Sequence, residues 1–390
     1  MNKPRTATTK VVTEINRTAI LDALRLQGPL SRASIGRHTG LSPATVERLC
    51  SALVEAGLIV VDGYERSSGG RPSILYRYSG ESRVVGAIDV SERQVRGRLV
   101  NFDGKVITEE VIRFDFGAPD AAPDVRLAGT LEIADRLVAA SKRISKPCAG
   151  LGVAVPGLVH GKEGRVAKTI ELGWNDVALG AIIQSRTGLP VLIENDANAI
   201  GFGEWSQGAG QGAHSMVAYV LGVGVGAGIV HDGALLRGAR SAAGEIGFLV
   251  TERAHLARPY ATQGDLESRV LGIARQFASD HGASEEDAFA ALFDAAAAGK
   301  PEAAGPASEV LDYIGLACIA LCTVIDPEMI VLAGHLSNKP DFVVEEIRKR
   351  IVGRIAYPPG ITEGHLGGDA ALVGVAQLTI ARARSATYLS

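Results

Sequence analysis

Two stretches far apart in the chain have the same pattern, and that repetition constrains the fold more than any other feature. Val84–Val90 is an apolar strand, followed by a second strand over Gly97–Asn101 and a turn at Asp103-Gly104. Ser215–Leu221 and Gly226–Val230 repeat the arrangement, with a turn at His231-Asp232-Gly233. Two versions of one hairpin predict two related lobes with a cleft between them. Helical patterns such as Thr130–Arg143 and Ala307–Thr323 alternate with strands such as Ala149–Val155 and Met329–Ala333. Alternation of that kind is the mark of an α/β fold with a mixed sheet. A last helix, Ala370–Arg384, is rich in Ala and Leu and is expected to pack back onto the first lobe.

The residues before the first hairpin follow another rule. Ile15, Ala19, Ile20, Ala23, Leu24 and Leu26 lay out a helical apolar face that stops at Gly28-Pro29. Ser31 can cap a short second helix that carries Ile35 inward and ends at Gly40. Ser42-Pro43 then supplies an N-cap with proline at the first helical position. The third helix is expected to run to about Ala56 and close at Gly57, with Val46, Leu49, Leu53 and Val54 buried. Helix, short helix, glycine turn and helix make a helix-turn-helix. Leu58–Asp62 reads as a strand, Tyr64–Pro72 as a loop of Gly, Ser and Arg, and Ser73–Tyr78 as the returning strand of a wing.

Residues 1–80 are therefore expected to form a winged helix-turn-helix that binds double-stranded DNA. The third helix would lie in the major groove, with Ser42, Ala44, Thr45 and Arg48 facing base edges or phosphates. Arg71, within Gly69-Gly70-Arg71-Pro72, would enter the narrow minor groove. A small helical dimerisation module with a surface hairpin is the competing reading. Charge helps to choose: through Arg83 there are 12 Lys and Arg against 7 Asp and Glu, while the remainder carries 28 against 36. A basic head on an acidic body places the polyanion at the head.

At 390 residues the chain is too long for one ordinary core. Its start, Met1 to Lys10, is polar and basic with no apolar run behind it, unlike a secretory signal. Val217–Val230 is an apolar stretch too short and too rich in glycine to span a bilayer. No membrane partner and a cytoplasmic location are expected. The four cysteines, Cys50, Cys148, Cys318 and Cys322, have no metal-binding or paired spacing, and Cys318 and Cys322 suit a buried helix face.

Three segments of the body have the residue types for chemistry. Glu194-Asn195-Asp196-Ala197-Asn198 follows the strand Val191–Ile193, where a carboxylate can point into a cleft and accept a hydroxyl proton. The same residues also suit an ordinary helix N-cap. Gly222-Val223-Gly224-Val225-Gly226-Ala227-Gly228 either lets amides approach phosphates or makes a tightly packed hairpin turn. It is not a P-loop, since no Gly-Lys-Ser/Thr follows. Gly244-Glu245-Ile246-Gly247 and Gly264-Asp265-Leu266-Glu267 carry acids that either clamp sugar hydroxyls or lie solvated on the surface.

Taken together, these segments resemble the ROK family of repressors, uncharacterised frames and sugar kinases. The resemblance also rests on Ala154-Val155-Pro156-Gly157-Leu158-Val159, Leu172-Gly173-Trp174 and Asp326-Pro327-Glu328-Met329-Ile330-Val331-Leu332-Ala333-Gly334. Leu41-Ser42-Pro43-Ala44-Thr45-Val46 and Gly69–Pro72 resemble the DNA-binding half of the family's xylose and N-acetylglucosamine repressors. The resemblance implies a sugar kinase-like body of two actin/RNase H-like lobes over residues 83–390. Lobe one would take about 83–197 with the helix 370–388, and lobe two about 198–369. It also implies that Asn195 and Asp196 bind sugar hydroxyls, Asp196 matching the kinases' catalytic base, and that Glu245 and Glu267 hold the sugar ring. Glu171 stands where an asparagine of the sugar pocket often does.

Departures from the family pattern are as informative. The kinases' Asp-x-Gly-Gly-Thr phosphate loop is Asp89-Val90-Ser91-Glu92-Arg93 here, and the threonine of the second phosphate loop is Val223. Glu92 would bring like charge toward a nucleotide's phosphates, at a cost on the order of a few kcal/mol. Many members hold zinc through a histidine and three cysteines, positions occupied here by Phe248, Tyr260, Thr262 and Asp265. No metal and no cofactor is therefore expected. The expected function is a sequence-specific repressor of carbohydrate genes, controlled by a sugar or sugar phosphate. It would bind a palindromic operator as a homodimer or homotetramer. An ATP-dependent sugar kinase with an appended head, and a repressor with a vestigial pocket, are the alternatives.

Overall fold

The structure is a computed structural model that describes residues 9–65, 72–114, 123–161, 163–169, 172–257, 263–337 and 339–389. The head is built from α1 (Thr9–Gln27), β1 (Leu30–Ser31), α2 (Arg32–Thr39), α3 (Pro43–Glu55), β2 (Ile59–Glu65) and β3 (Ser73–Tyr78). Ser31 and Ser42 cap α2 and α3, each hydroxyl accepting from the backbone N–H three residues on. Gly40 ends α2 in the left-handed conformation, at φ 71°, which a residue with a Cβ rarely adopts. Ile20, Leu21, Leu24, Ile35, Val46, Leu49, Leu53 and Tyr76 meet in one core.

Three expected core residues lie outside it. Val54 is 39% exposed because Leu53 takes the inward position and the next residue turns about 100° toward solvent. Ile15 and Leu26 are 60% and 67% exposed. The inward stripe of α1 runs through Ile20, Leu21 and Leu24, and these two lie beyond its ends.

The first lobe contains β4 (Val84–Val90), β5 (Gln94–Asn101), β6 (Val106–Arg113), α4 (Pro123–Arg143) and β7 (Cys148–Val155). A small antiparallel sheet of β8 (Leu158–His160), β9 (Arg165–Thr169) and β10 (Trp174–Val177) follows. Then come α5 (Leu179–Thr187), β11 (Val191–Asn195) and α6 (Asp196–Gln207). The second lobe contains β12 (Ser215–Leu221), β13 (Val225–His231), β14 (Ala234–Leu235), α7 (Asp265–Asp280), α8 (Ala288–Ala297) and α9 (Pro301–Ile325). It continues with β15 (Met329–Gly334), α10 (Pro340–Ile351) and β16 (Gly360–Glu363), and the chain returns through α11 (Ala370–Leu389).

The predicted repetition is present in the sheets. One has the order β11-β7-β4-β5-β6 and the other β14-β13-β12-β15-β16. Numbered within each lobe, both read 3-2-1-4-5 or its reverse. In each, the first two strands are antiparallel, and the fourth strand in chain order pairs parallel to the first. Strand β5 begins at Gln94 rather than Gly97, because Gln94 and Arg96 face outward around a buried Val95. Helix α9 begins at Pro301, six residues before the apolar pattern suggested, and carries Pro306 inside it.

Among the described residues, α9 is the one helix long and apolar enough to cross a membrane, with mean hydropathy 1.8. Its Val310, Leu311, Ile314, Cys318 and Leu321 are buried in the second lobe's core with α7, α8 and α10, which accounts for that apolarity.

Two segments connect the lobes: α6, and the stretch from β16 into α11. These helices pack against each other through Ala199, Gly203, Ala370 and Gly374. Glu204 of α6 is 1% exposed. Its carboxylate accepts from Ala209 N at 2.9 Å, His365 N at 3.0 Å and Leu366 N at 2.9 Å. One buried charge thus holds the backbones of both crossings.

Candidate functional site

A cavity of about 670 Å³ lies between the lobes, within the range of ordinary ligand pockets. Asp89, Asn195, Asp196, Glu245, Glu267 and His335 are among its lining residues. The ends of β4 and β11 bring the first three from one lobe; the loops of the other lobe supply the rest.

Asn195 caps α6 and also faces this space, so cap and cleft residue are the same side chain. Its Oδ1 accepts from Asn198 N at 3.0 Å, and its Nδ2 donates to Gly157 O at 3.0 Å and to Asp196 Oδ1 at 3.1 Å. Asp196 Oδ1 also accepts from Ala197 N at 2.8 Å. The carboxylate that turns inward is Glu194, which does not line the cavity. It is 4% exposed, paired with Arg237 at 2.7 Å, and accepts from Asn198 Nδ2 at 3.0 Å.

Glu245 and Glu267 come together on the opposite side. Gly244, at φ +89°, packs its Cα against the Ala227 carbonyl, which leaves no room for a side chain. Glu245 follows directly and precedes the short 3-10 helix Ile246–Phe248. Glu267, in the first turn of α7, accepts from Val225 N at 3.2 Å. The glycine run divides between two jobs. Gly222-Val223-Gly224 is the open β12–β13 turn facing the cavity, while Gly228 lies against Gly201 of α6.

The loop after β4 carries Glu92 into the cavity wall, with its carbonyl accepting from Arg126 Nε at 2.9 Å. Next to it, Arg93 pairs with Glu286 of the other lobe at 2.6 Å. Burial raises the Asp89 carboxyl to about 6, with Arg96 opposing the shift and Asp369 adding to it. Arg96 and Arg98 both pair with Asp369 and with Glu109, at 2.6–2.9 Å. The turn that leads into α11 is thereby fastened to β5 and β6.

On the head, Ser42, Ala44 and Arg48 are exposed and Thr45 is half-buried, all near the start of α3. The Ser42 hydroxyl is engaged in the cap, 3.3 Å from Thr45 N and 2.9 Å from Thr45 Oγ1. Arg71 and Glu171 lie outside the described residues, as do Tyr260 and Thr262.

Sequence reasoning missed Arg237, Glu204, Asp369 and the cavity residue His335, whose ring stacks on Phe289 at 5.5 Å. None of these positions carries a local pattern that distinguishes it from a surface residue. Apart from Ala209, five residues after Glu204, their partners are distant in the chain.

The sequence profile of the ROK family matches residues 85–382, and that of the IclR helix-turn-helix domain matches residues 18–63. The chain is 28% identical over 356 residues to the xylose repressor of Caldicellulosiruptor bescii, covering 87% of each. It is 30% identical over 275 residues to the glucokinase of Halalkalibacterium halodurans, covering 63% of this chain and 81% of that one. A crystal structure of a ROK family transcriptional regulator, a homologue of the Escherichia coli MLC protein, superposes with a TM-score of 0.79 at 21% identity. That match covers 97% of this chain and 99% of the other. At this identity the likeness establishes the fold: a helix-turn-helix head on a sugar kinase-like α/β body.

Proposed function

Because the chain belongs to the ROK family, we propose that it is a sequence-specific repressor of carbohydrate-metabolism genes, controlled by a sugar or sugar phosphate bound between its lobes. One observation carries the reading. A single chain joins a helix-turn-helix, with the start of its third helix exposed, to a cavity lined by Asn195, Asp196, Glu245 and Glu267. Likeness to a xylose repressor over most of both chains supports the regulatory role.

In this reading residues 1–80 are the DNA-binding domain and residues 83–390 the sensor. Lobe one is about 83–197 with 370–388, and lobe two about 198–369. Ser42, Ala44, Thr45, Arg48 and Arg71 contact operator DNA. Asn195, Asp196, Glu245, Glu267 and Glu171 contact the ligand, whose hydroxyls suit carboxylate and amide partners. A homodimer or homotetramer presents paired heads to a palindromic site. Ligand changes DNA affinity only if it favours one arrangement of the lobes over another.

Phosphoryl transfer is not part of the reading. It depends on positioned phosphates, and Glu92, in the place of a phosphate-loop glycine, lines the cavity and would bring like charge toward them. A gel-shift assay at low salt on the gene's own upstream region, with and without a panel of monosaccharides and their phosphates, tests it. Binding that weakens steeply with salt and is altered by one sugar is expected. No shift at any protein concentration overturns it.

An ATP-dependent sugar kinase with a DNA-binding head is the second reading. It is favoured by the 30% identity to a glucokinase and by Asp196 at the cavity wall. ADP release over the same sugar panel, abolished by Asp196→Asn, would establish it.

A further inference from the structure

The zinc site that many ROK members carry does not fit this chain. Phe248 offers no donor, and among the described residues no three His, Cys, Asp or Glu side chains converge to hold a metal. At the position of the last cysteine, Asp265 already has both oxygens engaged. Oδ1 is 2.7 Å from His255 Nδ1, and Oδ2 accepts from Thr251 N at 2.8 Å and Thr251 Oγ1 at 2.6 Å.

We propose that Thr251, His255, Asp265 and Arg269 form a metal-free brace that fixes the first turn of α7 and thereby positions Glu267 beside the glycine turn. The proton arrangement follows from the partners. A guanidinium only donates, so Arg269 Nη2, 2.7 Å from His255 Nε2, makes that nitrogen the acceptor. The imidazole proton then lies on Nδ1 and is given to Asp265. His255 is 6% exposed and sits buried between Arg269 and Asp265, which are themselves partly exposed.

Asp265 and Arg269 stand four residues apart on α7, one above the other on the same face. Thr251 and His255 belong to the segment that follows the 3-10 turn at Ile246–Phe248. The brace therefore ties that segment to the start of α7. Arg269 also lies 3.5 Å from Glu252, so a guanidinium already supplies the positive charge that a metal would bring. Burial pushes the Asp265 carboxyl up, but its hydrogen bonds from Thr251 and His255 outweigh this and hold it at about 2.

The link to the cavity is short. Gly264 packs directly on Gly247, where a Cβ would strike the carbonyl, and Leu266 N donates to Leu249 O at 3.1 Å. One residue further, Glu267 receives the Val225 amide at 3.2 Å. Thr251, His255, Asp265 and Arg269 are positioning residues; none of them lines the cavity.

The inference bears on the proposed ligand site but is tested without ligand, so either can fail alone. Metal content and melting of the full-length protein are measured first. Less than about one zinc per ten chains is expected, with melting unmoved by EDTA or by added zinc. Stoichiometric zinc, or a zinc-dependent rise in melting temperature lost in His255→Ala, overturns the metal-free reading.

Amide exchange then reads the positioning. In Asp265→Asn and in Arg269→Met, the Val225 amide should exchange about tenfold faster while the amides of β12 keep their protection. Arg269→Lys, which keeps a cationic donor, should restore part of that protection. Arg269→Met leaves the Asp265–His255 pair intact and keeps the test readable if Asp265→Asn does not fold. Val225 as protected as in the parent protein overturns the brace.

Discussion

Replacing Glu204 should loosen the connection between the lobes more than any other single substitution outside the cavity. Its buried carboxylate accepts three backbone N–H groups, Ala209 from one crossing and His365 and Leu366 from the other. Hydrogen bonds to a charged group contribute about 1.5–3 kcal/mol each, and a buried donor left without a partner loses comparable free energy. Some of that is recovered where water enters the space, so Glu204→Ala should cost about 3–5 kcal/mol. Glu204→Gln keeps one acceptor oxygen and turns an NH₂ toward a donor, and should cost roughly half as much.

For a body of this size, the Ala substitution should lower the melting temperature by roughly 5–15 °C. The sharper assay is amide exchange. Protection should fall first at Ala209, His365 and Leu366, ahead of β4 and β12 in the two sheet cores. If Glu204→Ala melts within about 1 °C of the parent protein with those three amides still protected, the clamp is not there.

Asp89 is perturbed in the opposite sense from a paired carboxylate. Raised from 3.8 to about 6, it binds its proton more tightly folded than unfolded, so its contribution to stability declines as pH rises from about 4 to about 6. Asp89→Asn should therefore be more stable at pH 7.5, by an amount on the order of 1–3 kcal/mol, with the gain vanishing below pH 4; urea midpoints at the two pH values check it. Arg48→Ala should weaken operator binding about tenfold and flatten the salt dependence by about one unit of slope, measured by titration at several salt concentrations. Tyr219 is fully buried with no partner for its hydroxyl among the described residues, so Tyr219→Phe should raise stability by about 1 kcal/mol in chemical denaturation.

What could be read in advance was local and periodic. Ser31, Ser42, Gly40 and Gly57 marked the ends of α2 and α3 because capping chemistry is contained in four or five neighbouring residues. The strands β4 and β12 were legible because they are buried on both faces and read as unbroken apolar runs. The start of β5 was not, since its exposed Gln94 and Arg96 interrupt the run. Asn195, Asp196, Glu245 and Glu267 were identified through a family resemblance, and the structure brings all four to one cavity. Glu194 differed for a reason beyond any local window. Its partner Arg237 arrives from 43 residues away, on the far side of β12 and β13.

The way the head joins the body bears on how a cleft could control DNA. Tyr78, at the end of β3, packs against the head core and against the core beneath α11. Arg384 of α11 lies over the Tyr78 ring at 5.5 Å and over Phe102 at 5.9 Å, and donates to Phe102 O at 2.7 Å. Backbone bonds continue the joint: Ser79 N donates to Leu58 O, and Phe102 N to Gly80 O. The head is therefore packed onto the first lobe and α11, with no long linker between them. A rotation of the second lobe about α6 and the turn before α11 would leave head and first lobe moving as one body. Such a rotation changes the spacing of paired heads only if the copies meet through the second lobe. Dimer contact through the first lobe would hold the heads still whatever the cleft contained.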